Sequence, residues 1–330
     1  MSSRTSPRVP APIACAAWLS GCAGPQSALD PAGRGAERLA ELFWWMAGGA
    51  AVVWLAVAAL AVYAVRGGAR RAGGGAQRAL IVWGGAVVPT LVLGALLAYG
   101  LSILPGLLAS APPGALRISV TGEQWWWRVR YESPGEAVEL ANEIRLPAGE
   151  PVEFTLRSAD VLHSFWIPSL GGKMDMFPGR ETRLLLEPTR PGRLRGVCAE
   201  YCGESHALMA FDVVVLEKPE FARWLAAQRR PAAVPAGGAA ARGGELFGAN
   251  GCAACHTVRG TGADGVVGPD LTHAGGRLSI AAGTLPPGRA GFGRWLAKTH
   301  EVKPGALMPH FGMLPPEDLT ALAAYLEALR

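Results

Sequence analysis

The sequence predicts a membrane protein of three parts: a two-helix transmembrane hairpin, an all-β Greek-key domain and an all-α C-terminal domain. Two long apolar runs near the N-terminus predict the hairpin. Short segments of alternating polarity predict the β domain, and segments of helical periodicity predict the last domain. The expected boundaries are 1–22 for a signal peptide, 23–41 for an exported N-terminal segment, 42–108 for the hairpin, 116–218 for the β domain, 219–242 for a short helix and flexible linker, and 243–330 for the C-terminal domain.

The two apolar runs are long enough to cross a bilayer. Residues 43–65 carry no charge, and at about 1.5 Å per residue they extend roughly 34 Å. A second charge-free run covers residues 79–104. Buried core helices of a soluble protein are the alternative, and the lengths of the two runs argue against it.

The short connection between the runs, RGGARRAGGGAQR, sets the orientation. It contains four arginines and no acidic residue, so it is expected to stay in the cytoplasm. Both ends of the hairpin, and the domain that follows it, then face outward. The net charge of +5 therefore does not indicate a nucleic-acid partner, and no basic patch with interleaved aromatic residues is present.

The first 22 residues resemble an export signal. Arg4 and Arg8 precede a short apolar stretch, IACAAWLSGC, which is too short to span a membrane. Its end at Cys22 resembles the cleavage box of bacterial lipoproteins, in which the cysteine becomes lipidated. Chance in an alanine-rich leader is the alternative, because prolines interrupt the apolar stretch.

Six segments between residues 116 and 217 alternate in polarity and end at turn-forming residues. They read LRISVTG, WWWRVRY, EIRLP, PVEFTLRS, RETRLLLEP and FDVVVLE. Six or more short strands in about 100 residues favour a Greek-key sandwich or barrel. After a short predicted helix, residues 229–244 have no packing face and are expected to form a flexible linker.

Residues 252–256, CAACH, match the Cys-x-x-Cys-His signature of covalent c-type haem attachment. Cys252 and Cys255 would bind the haem vinyl groups, and His256 would be the proximal iron ligand. A thioredoxin-like pair would need a βαβ context, and a zinc site would need two further ligands at short spacing. The segment resembles small bacterial cytochrome c domains, in which a proline corresponding to Pro269 packs near the proximal histidine.

Several residues could supply the sixth iron ligand. Met308 in GALMPHFG fits best, because its Met-Pro setting resembles the distal-ligand loop of that family. Met313 is the second choice. His300 or His310 would instead give a bis-histidine haem of much lower potential.

Residues 198–209, CAEYCGESHALM, place two thiols, an imidazole and a thioether at close spacing. The candidate ligands are Cys198, Cys202, His206 and Met209, together with His163 upstream. A mononuclear blue-copper site needs one thiolate, two imidazoles and a weak axial sulfur, which leaves one cysteine surplus. Two copper ions bridged by both thiolates use every donor, whereas thioether sulfur is not a usual zinc ligand.

This motif, the upstream histidine and the segment EQWWWRVRY after a two-helix hairpin resemble subunit II of the haem–copper cytochrome c oxidases. With the C-terminal haem domain, the resemblance is to the bacterial caa-type form and covers nearly all of residues 25–330. It implies a cupredoxin-like fold, a binuclear copper A centre of two copper ions, and one covalently bound haem c. The implied copper ligands are His163, Cys198, Cys202, His206, Met209 and the main-chain carbonyl of Glu200.

The resemblance implies further roles for individual residues. The side chain of Glu200 would reach a Mg²⁺ or Mn²⁺ ion at the interface with subunit I, and Trp125 would be the residue through which electrons enter. Many family members also carry a glutamate three residues before a tryptophan of the second helix, at a proton path. Leu80 stands at that distance from Trp83 here, so the acidic role does not carry over.

The implied function is that of the electron-input subunit of a proton-translocating terminal oxidase. Electrons would pass from a cytochrome c or an upstream donor complex, through the haem and the copper pair, to subunit I, which reduces oxygen to water. Subunit I and subunit III are the implied partners. The implied location is the bacterial inner membrane, as a multi-pass protein with both metal domains on the periplasmic or extracellular side, and the linker would let the haem domain move.

Other functions remain open at this point. A copper-A-type nitric oxide reductase uses a similar electron-transfer subunit. Nitrous oxide reductase has this copper centre but is soluble and lacks the hairpin. A copper-delivery or redox-sensing protein gives no reason for a covalent haem, and related quinol-oxidase subunits lack the copper ligands.

Overall fold

The computed structural model describes residues 22–67, 73–107, 109–132 and 137–330. The predicted leader lies outside the described residues except for Cys22, which is exposed. The chain forms two compact units, one of Glu37–Ser110 and one of the residues on either side of that segment.

Two long apolar helices make up most of the first unit. α1 spans Arg34–Val65 and α2 spans Gly74–Leu107, and both are long and apolar enough to cross a membrane. Within α2, residues Leu80–Val87 are π-helical. Large apolar side chains stay exposed along both helices. Such exposure is unfavourable in water, so it favours a lipid environment and confirms the two predicted apolar helices.

The β domain belongs to the second unit and contains ten strands in two five-stranded sheets. The strands are β1 Leu116–Glu123, β2 Trp126–Glu132, β3 Val138–Ala141, β4 Glu143–Pro147, β5 Val152–Ser158, β6 His163–Trp166, β7 Met174–Met176, β8 Thr182–Leu186, β9 Gly192–Cys198 and β10 Ala210–Leu216. One sheet has the order β3-β2-β1-β5-β8 and the other β4-β10-β9-β6-β7. The two sheets confirm the predicted all-β domain.

Side-chain alternation explains how the two sheets share one core. In β2, Trp127, Val129 and Tyr131 point inward and are fully buried, whereas the residues between them are not. The ring of Trp127 contacts Phe165 and Phe211 of the facing sheet, with centroids 5.8 and 5.3 Å apart. Trp127 is therefore a core residue.

The strands that carry the candidate copper ligands lie next to each other. β9 is antiparallel to both β10 and β6, and it ends at Cys198, opposite Phe165 of β6. His163 is the first residue of β6. The remaining motif residues lie in the connection from β9 to β10, which is therefore held at both ends by strand pairing.

The C-terminal domain is mainly helical, as predicted. Its elements, with the short helix before it, are α3 Lys218–Gln228, α4 Gly238–Ala249, α5 Arg289–Ala297, α6 Thr299–Val302 and α7 Pro316–Ala328, and a two-stranded ribbon of β11 Thr257–Val258 and β12 Ala263–Asp264. α7 buries Leu322 and Leu326 in the domain core, together with Phe247 of α4 and Phe292 of α5.

The predicted linker is shorter in the structure than the sequence suggests. α4 begins at Gly238, inside the stretch 229–244, and Gly243 is buried against Ala321 of α7. Ala232 is also buried, and its N–H donates to the carbonyl of Arg259 at 2.8 Å. The small residues that suggested a lack of packing instead allow the backbones to approach closely.

We expect Gly243→Ala to destabilise the C-terminal domain, because a Cβ there would lie 2.0 Å from the carbonyl oxygen of Ala321. Overpacking of this kind costs about 1–3 kcal/mol. The control is Gly248→Ala in the same helix, where a Cβ meets nothing within 4 Å and helix propensity improves. Amide hydrogen exchange of α4 and α7 in the full-length protein measures both changes. Equal protection in the two variants would contradict this packing.

Candidate copper and haem sites

The two cysteines of the first motif form the centre of a compact group of donors. Their Sγ atoms lie 3.7 Å apart, and both side chains are buried and free of disulfide. The Nδ1 atom of His163 lies 3.9 Å from the Cys198 sulfur, and that of His206 lies 3.6 Å from the Cys202 sulfur. Each sulfur therefore has one imidazole beside it.

Each of the remaining two predicted donors lies beside a different cysteine sulfur. The main-chain oxygen of Glu200 is 3.2 Å from the Cys198 sulfur, and the sulfur of Met209 is 3.8 Å from that of Cys202. The structure thus brings together all six donor groups that the sequence singled out. Their near-symmetry, with one imidazole and one weaker donor per thiol, fits two metal ions bridged by two thiolates.

The ring of His163 is held in place by residues that sequence reasoning missed. Its Nε2 lies 2.8 Å from Oδ1 of Asp160, which leaves Nδ1 to face the sulfurs. Gly122 of β1 is also required, because a Cβ there would lie 2.8 Å from the imidazole. A carboxylate three residues before a candidate histidine ligand was the available signal for Asp160.

The two thiols shift each other's pKa in opposite directions. Their mutual hydrogen bond holds the pKa of Cys198 well below its ordinary value and raises the pKa of Cys202 well above it. Burial lowers the pKa of His163, but its hydrogen bonds with Cys198 and Asp160 outweigh burial and raise that pKa overall. A metal pair bridged by both sulfurs would require both as thiolates, so its binding would be pH-dependent.

Trp125 lies directly against this group. It is 7% exposed, and its Nε1 donates to the carbonyl oxygen of Cys202 at 3.0 Å. The side-chain amide of Gln124 donates to the same oxygen at 2.7 Å. The indole is therefore joined to the ligand loop through the main chain of a candidate ligand, whereas Trp127 lies in the core.

The side chain of Glu200 lies beside a lysine. Its carboxylate lies 3.5 Å from Nζ of Lys173, which also lies 3.7 Å from the carboxylate of Asp175. Asp175 accepts a hydrogen bond from Ser164, the residue after His163. Two carboxylates thus lie close to one lysine near the copper motif, where the sequence-based prediction places a Mg²⁺ or Mn²⁺ ion.

The second cysteine motif forms a tight turn. Cys252–Ala254 is a 3₁₀ turn that follows Gly251 in a left-handed conformation, with φ +73°. His256 comes directly after the turn and is buried. The short turn keeps both cysteines and the histidine on one local segment, as covalent haem attachment requires.

One ring nitrogen of His256 already has a hydrogen-bond partner. Its Nδ1 lies 2.8 Å from the carbonyl oxygen of Pro269, so Nε2 is left for an iron ion. Burial lowers the pKa of His256 and so favours the neutral imidazole that binds metal. Gly268 is required beside the ring, because a Cβ there would lie 2.5 Å from it. Pro269 thus contacts the histidine, as expected, and does so through its carbonyl group.

The candidates for the sixth iron ligand differ in their surroundings. Met308 is partly buried and packs on the core of the C-terminal domain, whereas Met313 is 69% exposed. The exposed rings of His300 and His310 pack edge to face, with centroids 5.7 Å apart, and His300 contacts the carbonyl of Ala306. These surroundings favour Met308.

Two family models match the chain in consecutive segments. A model of the periplasmic domain of cytochrome c oxidase subunit II matches residues 134–217, and a cytochrome c model matches residues 240–330. Residues 134–217 are therefore similar to the cytochrome c oxidase subunit II family, in agreement with the resemblance seen in the sequence. The second match agrees with a fused haem domain of the caa type, as the sequence predicted.

Curated relatives carry the same subunit name. Over 213 residues, the chain is 39% identical to cytochrome c oxidase subunit 2 of Alkalihalophilus pseudofirmus, a match that covers 64% of this chain and 61% of the relative. It is 31% identical over 226 residues to that of Bacillus subtilis, covering 66% and 63%. The chain thus spans less than two thirds of the length of these relatives.

A solved structure resembles part of the chain. The periplasmic domain of subunit II of cytochrome oxidase from Bradyrhizobium japonicum is 30% identical, with 36% of this chain and 97% of that chain covered and a TM-score of 0.35.

The matched domains and the apolar helices also indicate which cofactors the chain binds and where it is located. The two matched domains imply a copper centre in the first and a covalent haem in the second. The group formed by His163, Cys198 and Cys202 is suited to metal binding. The two apolar helices, together with a β domain similar to a periplasmic domain, indicate a membrane protein with an extracellular domain.

We expect Asp160→Asn to weaken copper binding, because the amide no longer accepts a charge-assisted hydrogen bond from His163 Nε2. Loss of such a partner to a metal-ligating histidine typically costs about 10–100-fold in affinity. Competition with a copper chelator measures the change. Glu181→Gln serves as control, since Glu181 forms ion pairs with the surface residues Arg157 and Arg183. An unchanged affinity in Asp160→Asn would exclude the orienting role.

Proposed function

We propose that this chain is the electron-input subunit of a proton-translocating cytochrome c oxidase. Its haem-binding domain accepts electrons from a cytochrome c or an upstream donor complex. The β domain passes them to subunit I, where oxygen is reduced to water. Relatives named cytochrome c oxidase subunit 2 favour this function over that of a nitric oxide reductase.

The single observation that carries the proposal is the convergence of six donors, two of which are thiols 3.7 Å apart. We assign His163, Cys198, Cys202, His206, Met209 and the carbonyl of Glu200 as ligands of a binuclear copper A centre with two copper ions. A mononuclear site with one thiolate and both imidazoles would leave the second buried thiol without a metal. Sharing one electron between two bridged coppers changes bond lengths little, which keeps the cost of electron transfer small.

The protein contributes rigidity to this centre. Cys198 ends one strand and His163 begins its neighbour, so both are fixed by backbone hydrogen bonds. Asp160 and Gly122 hold the imidazole of His163. Ligands held this way keep their positions in both redox states. Trp125, bonded to the carbonyl of Cys202, is the residue that we assign to electron entrance.

The C-terminal domain supplies the site of one covalent haem c. We assign Cys252 and Cys255 to the thioether links, His256 to the proximal position and Met308 to the distal position. Pro269 orients His256 through its carbonyl. A neutral imidazole and a thioether together give the higher reduction potential typical of electron-carrying cytochromes.

The wider assembly follows from the same proposal. Subunit I and subunit III are the proposed partners in a bacterial inner membrane, with α1 and α2 as two spans and both metal domains on the periplasmic or extracellular side. Glu200 is the proposed ligand of a Mg²⁺ or Mn²⁺ ion at the contact with subunit I. The positive charge of Lys173 beside it would then have to move or be screened.

Metal and spectroscopic analysis of the purified oxidase complex tests the proposal. We expect two copper ions per covalent haem c of this subunit, after the metals of subunit I are subtracted, and a copper hyperfine pattern from one electron shared by two nuclei. We also expect turnover of oxygen rather than of nitric oxide. One copper ion, or zinc, in this subunit would refute the proposal.

Cys202→Ser should abolish the shared-electron copper signal, because a serine hydroxyl cannot bridge two soft metal ions as a thiolate does. Electron paramagnetic resonance and copper content of the membrane-extracted protein measure the effect. Cys22→Ser is the control, since Cys22 is exposed and is not among the assigned ligands. Persistence of the signal in Cys202→Ser would remove this cysteine from the site.

Met308→Ala should remove the methionine-to-iron charge-transfer band of the oxidised haem and lower the haem reduction potential, because the thioether ligand is lost. Met313→Ala is the matched control, as Met313 is largely exposed. Optical spectra and redox titration of the full-length protein distinguish the two methionines. A band that is lost in Met313→Ala instead would reverse the assignment.

A further inference from the structure

Trp125 is buried by a segment of the haem-binding domain. A Cβ on Gly305 would lie 2.6 Å from the indole ring, so the backbone at Gly305 lies directly on the ring. Gly305 has φ +76°, a conformation that favours glycine. The indole is 7% exposed as a result of its surroundings on both domains.

Lys303 fixes this segment to the backbone of the same tryptophan. Its Nζ donates to the carbonyl oxygen of Trp125 at 2.7 Å, and the residue is 3% exposed. Burial lowers the pKa of Lys303 to about 7. A buried amine is unfavourable unless it is hydrogen-bonded, so the contact depends on the Trp125 carbonyl being in this position.

Pro304, which lies between Lys303 and Gly305, contacts the copper-ligand loop. The hydroxyl of Ser205 donates to the carbonyl oxygen of Pro304 at 2.7 Å, and Ser205 precedes the candidate ligand His206. Lys303, Pro304 and Gly305 therefore contact both Trp125 and the ligand loop. This three-residue stretch is called the docking segment below.

Other contacts between the two domains support the docked position. The N–H of Ala210 donates to the carbonyl of Ala282 at 3.1 Å, and Ala210 follows the ligand Met209. The guanidinium of Arg128 donates to the carbonyls of Val266 and Val267 at 3.1 and 3.3 Å. Leu278 N–H donates to the carboxylate of Glu143 at 2.9 Å. The haem-binding domain is thus held on the β domain at several points, one of them beside the ligand loop.

We propose that the docking segment seats the haem-binding domain on Trp125, so that this tryptophan receives electrons from the chain's own haem domain and is closed to an external cytochrome c. Lys303 and Gly305 act as positioning residues. The inference rests on the proposed function of Trp125. The step that it serves moves one electron from the haem to the copper centre, with no bond made and no proton transferred. It differs from the freely moving haem domain that the sequence suggested.

Hydroxyl-radical footprinting of the full-length holoprotein tests the docking, with the oxidation rate of Trp125 measured by peptide mass spectrometry. In the wild type, Trp125 should react several-fold more slowly than Tyr201, which is 75% exposed on the same loop region. Gly305→Ala should raise the Trp125 rate several-fold, because the added Cβ pushes the segment off the ring. Lys303→Met should do the same, and Lys303→Gln, which keeps a donor, should restore part of the protection.

Two control variants separate docking from general strain. Gly149→Ala imposes a similar backbone penalty, with φ +72° and open space around the position. Lys298→Met removes another lysine of the haem-binding domain, one that is exposed and paired with Glu301. Both controls should leave the Trp125 rate at the wild-type value. Haem absorbance and the copper signal report whether each variant is folded and loaded.

A kinetic measurement gives a second readout. After flash photoreduction of the haem, electron transfer to the copper centre should be several-fold slower in Lys303→Met, with both reduction potentials unchanged. Fast oxidation of Trp125 in the wild type, or unchanged protection and kinetics in both docking variants, would overturn the inference. A wild-type protein without two coppers per haem would instead refute the proposed function.

Discussion

The close approach of two cysteine sulfurs, 3.7 Å apart, is the constraint on which the rest of the electron-transfer structure depends. Two thiols at this distance cannot be held by a loop alone, because each retains rotamer freedom and their charges repel once both ionise. Here the loop is anchored by antiparallel pairing of β9 and β10. The histidine strand β6 pairs with β9 at Cys198 itself. Strand pairing therefore sets the geometry of the donors before any metal binds.

The haem-binding domain is built by a different route. Its cysteines and histidine are consecutive in the chain, so a single tight turn presents them together. The tertiary structure adds the carbonyl of Pro269, which contacts Nδ1 of His256 and leaves Nε2 free. The two domains meet at Trp125, where one domain supplies the indole and the other supplies its cover. At this contact, the buried amine of Lys303 donates a hydrogen bond to the carbonyl oxygen of Trp125, which fixes the orientation of the segment.

Much of the site could be predicted, and what could not follows from distance in the chain. Donor types and short spacings identified Cys198, Cys202 and His206, since these residues lie within one loop. Asp160 and Gly122 were missed, because an orienting carboxylate and a required absence of side chain look like ordinary turn and strand residues. The strand β9 was also not predicted, because its glycines and arginines interrupt the alternation of polar and apolar residues on which strand prediction depends.

The sequence by itself determined the two apolar helices, the haem attachment turn and the set of donors, because each depends on composition or on contacts between near neighbours. Only the tertiary structure decided which donors meet and what covers them. His163 reaches Cys198 across 35 residues, and Lys303 reaches Trp125 across 178. Contacts over such separations are set by sheet register and domain packing, which depend on many weak interactions at once and leave no local pattern. The predicted linker shows the same limit, since small residues are compatible both with a flexible chain and with close packing of backbones.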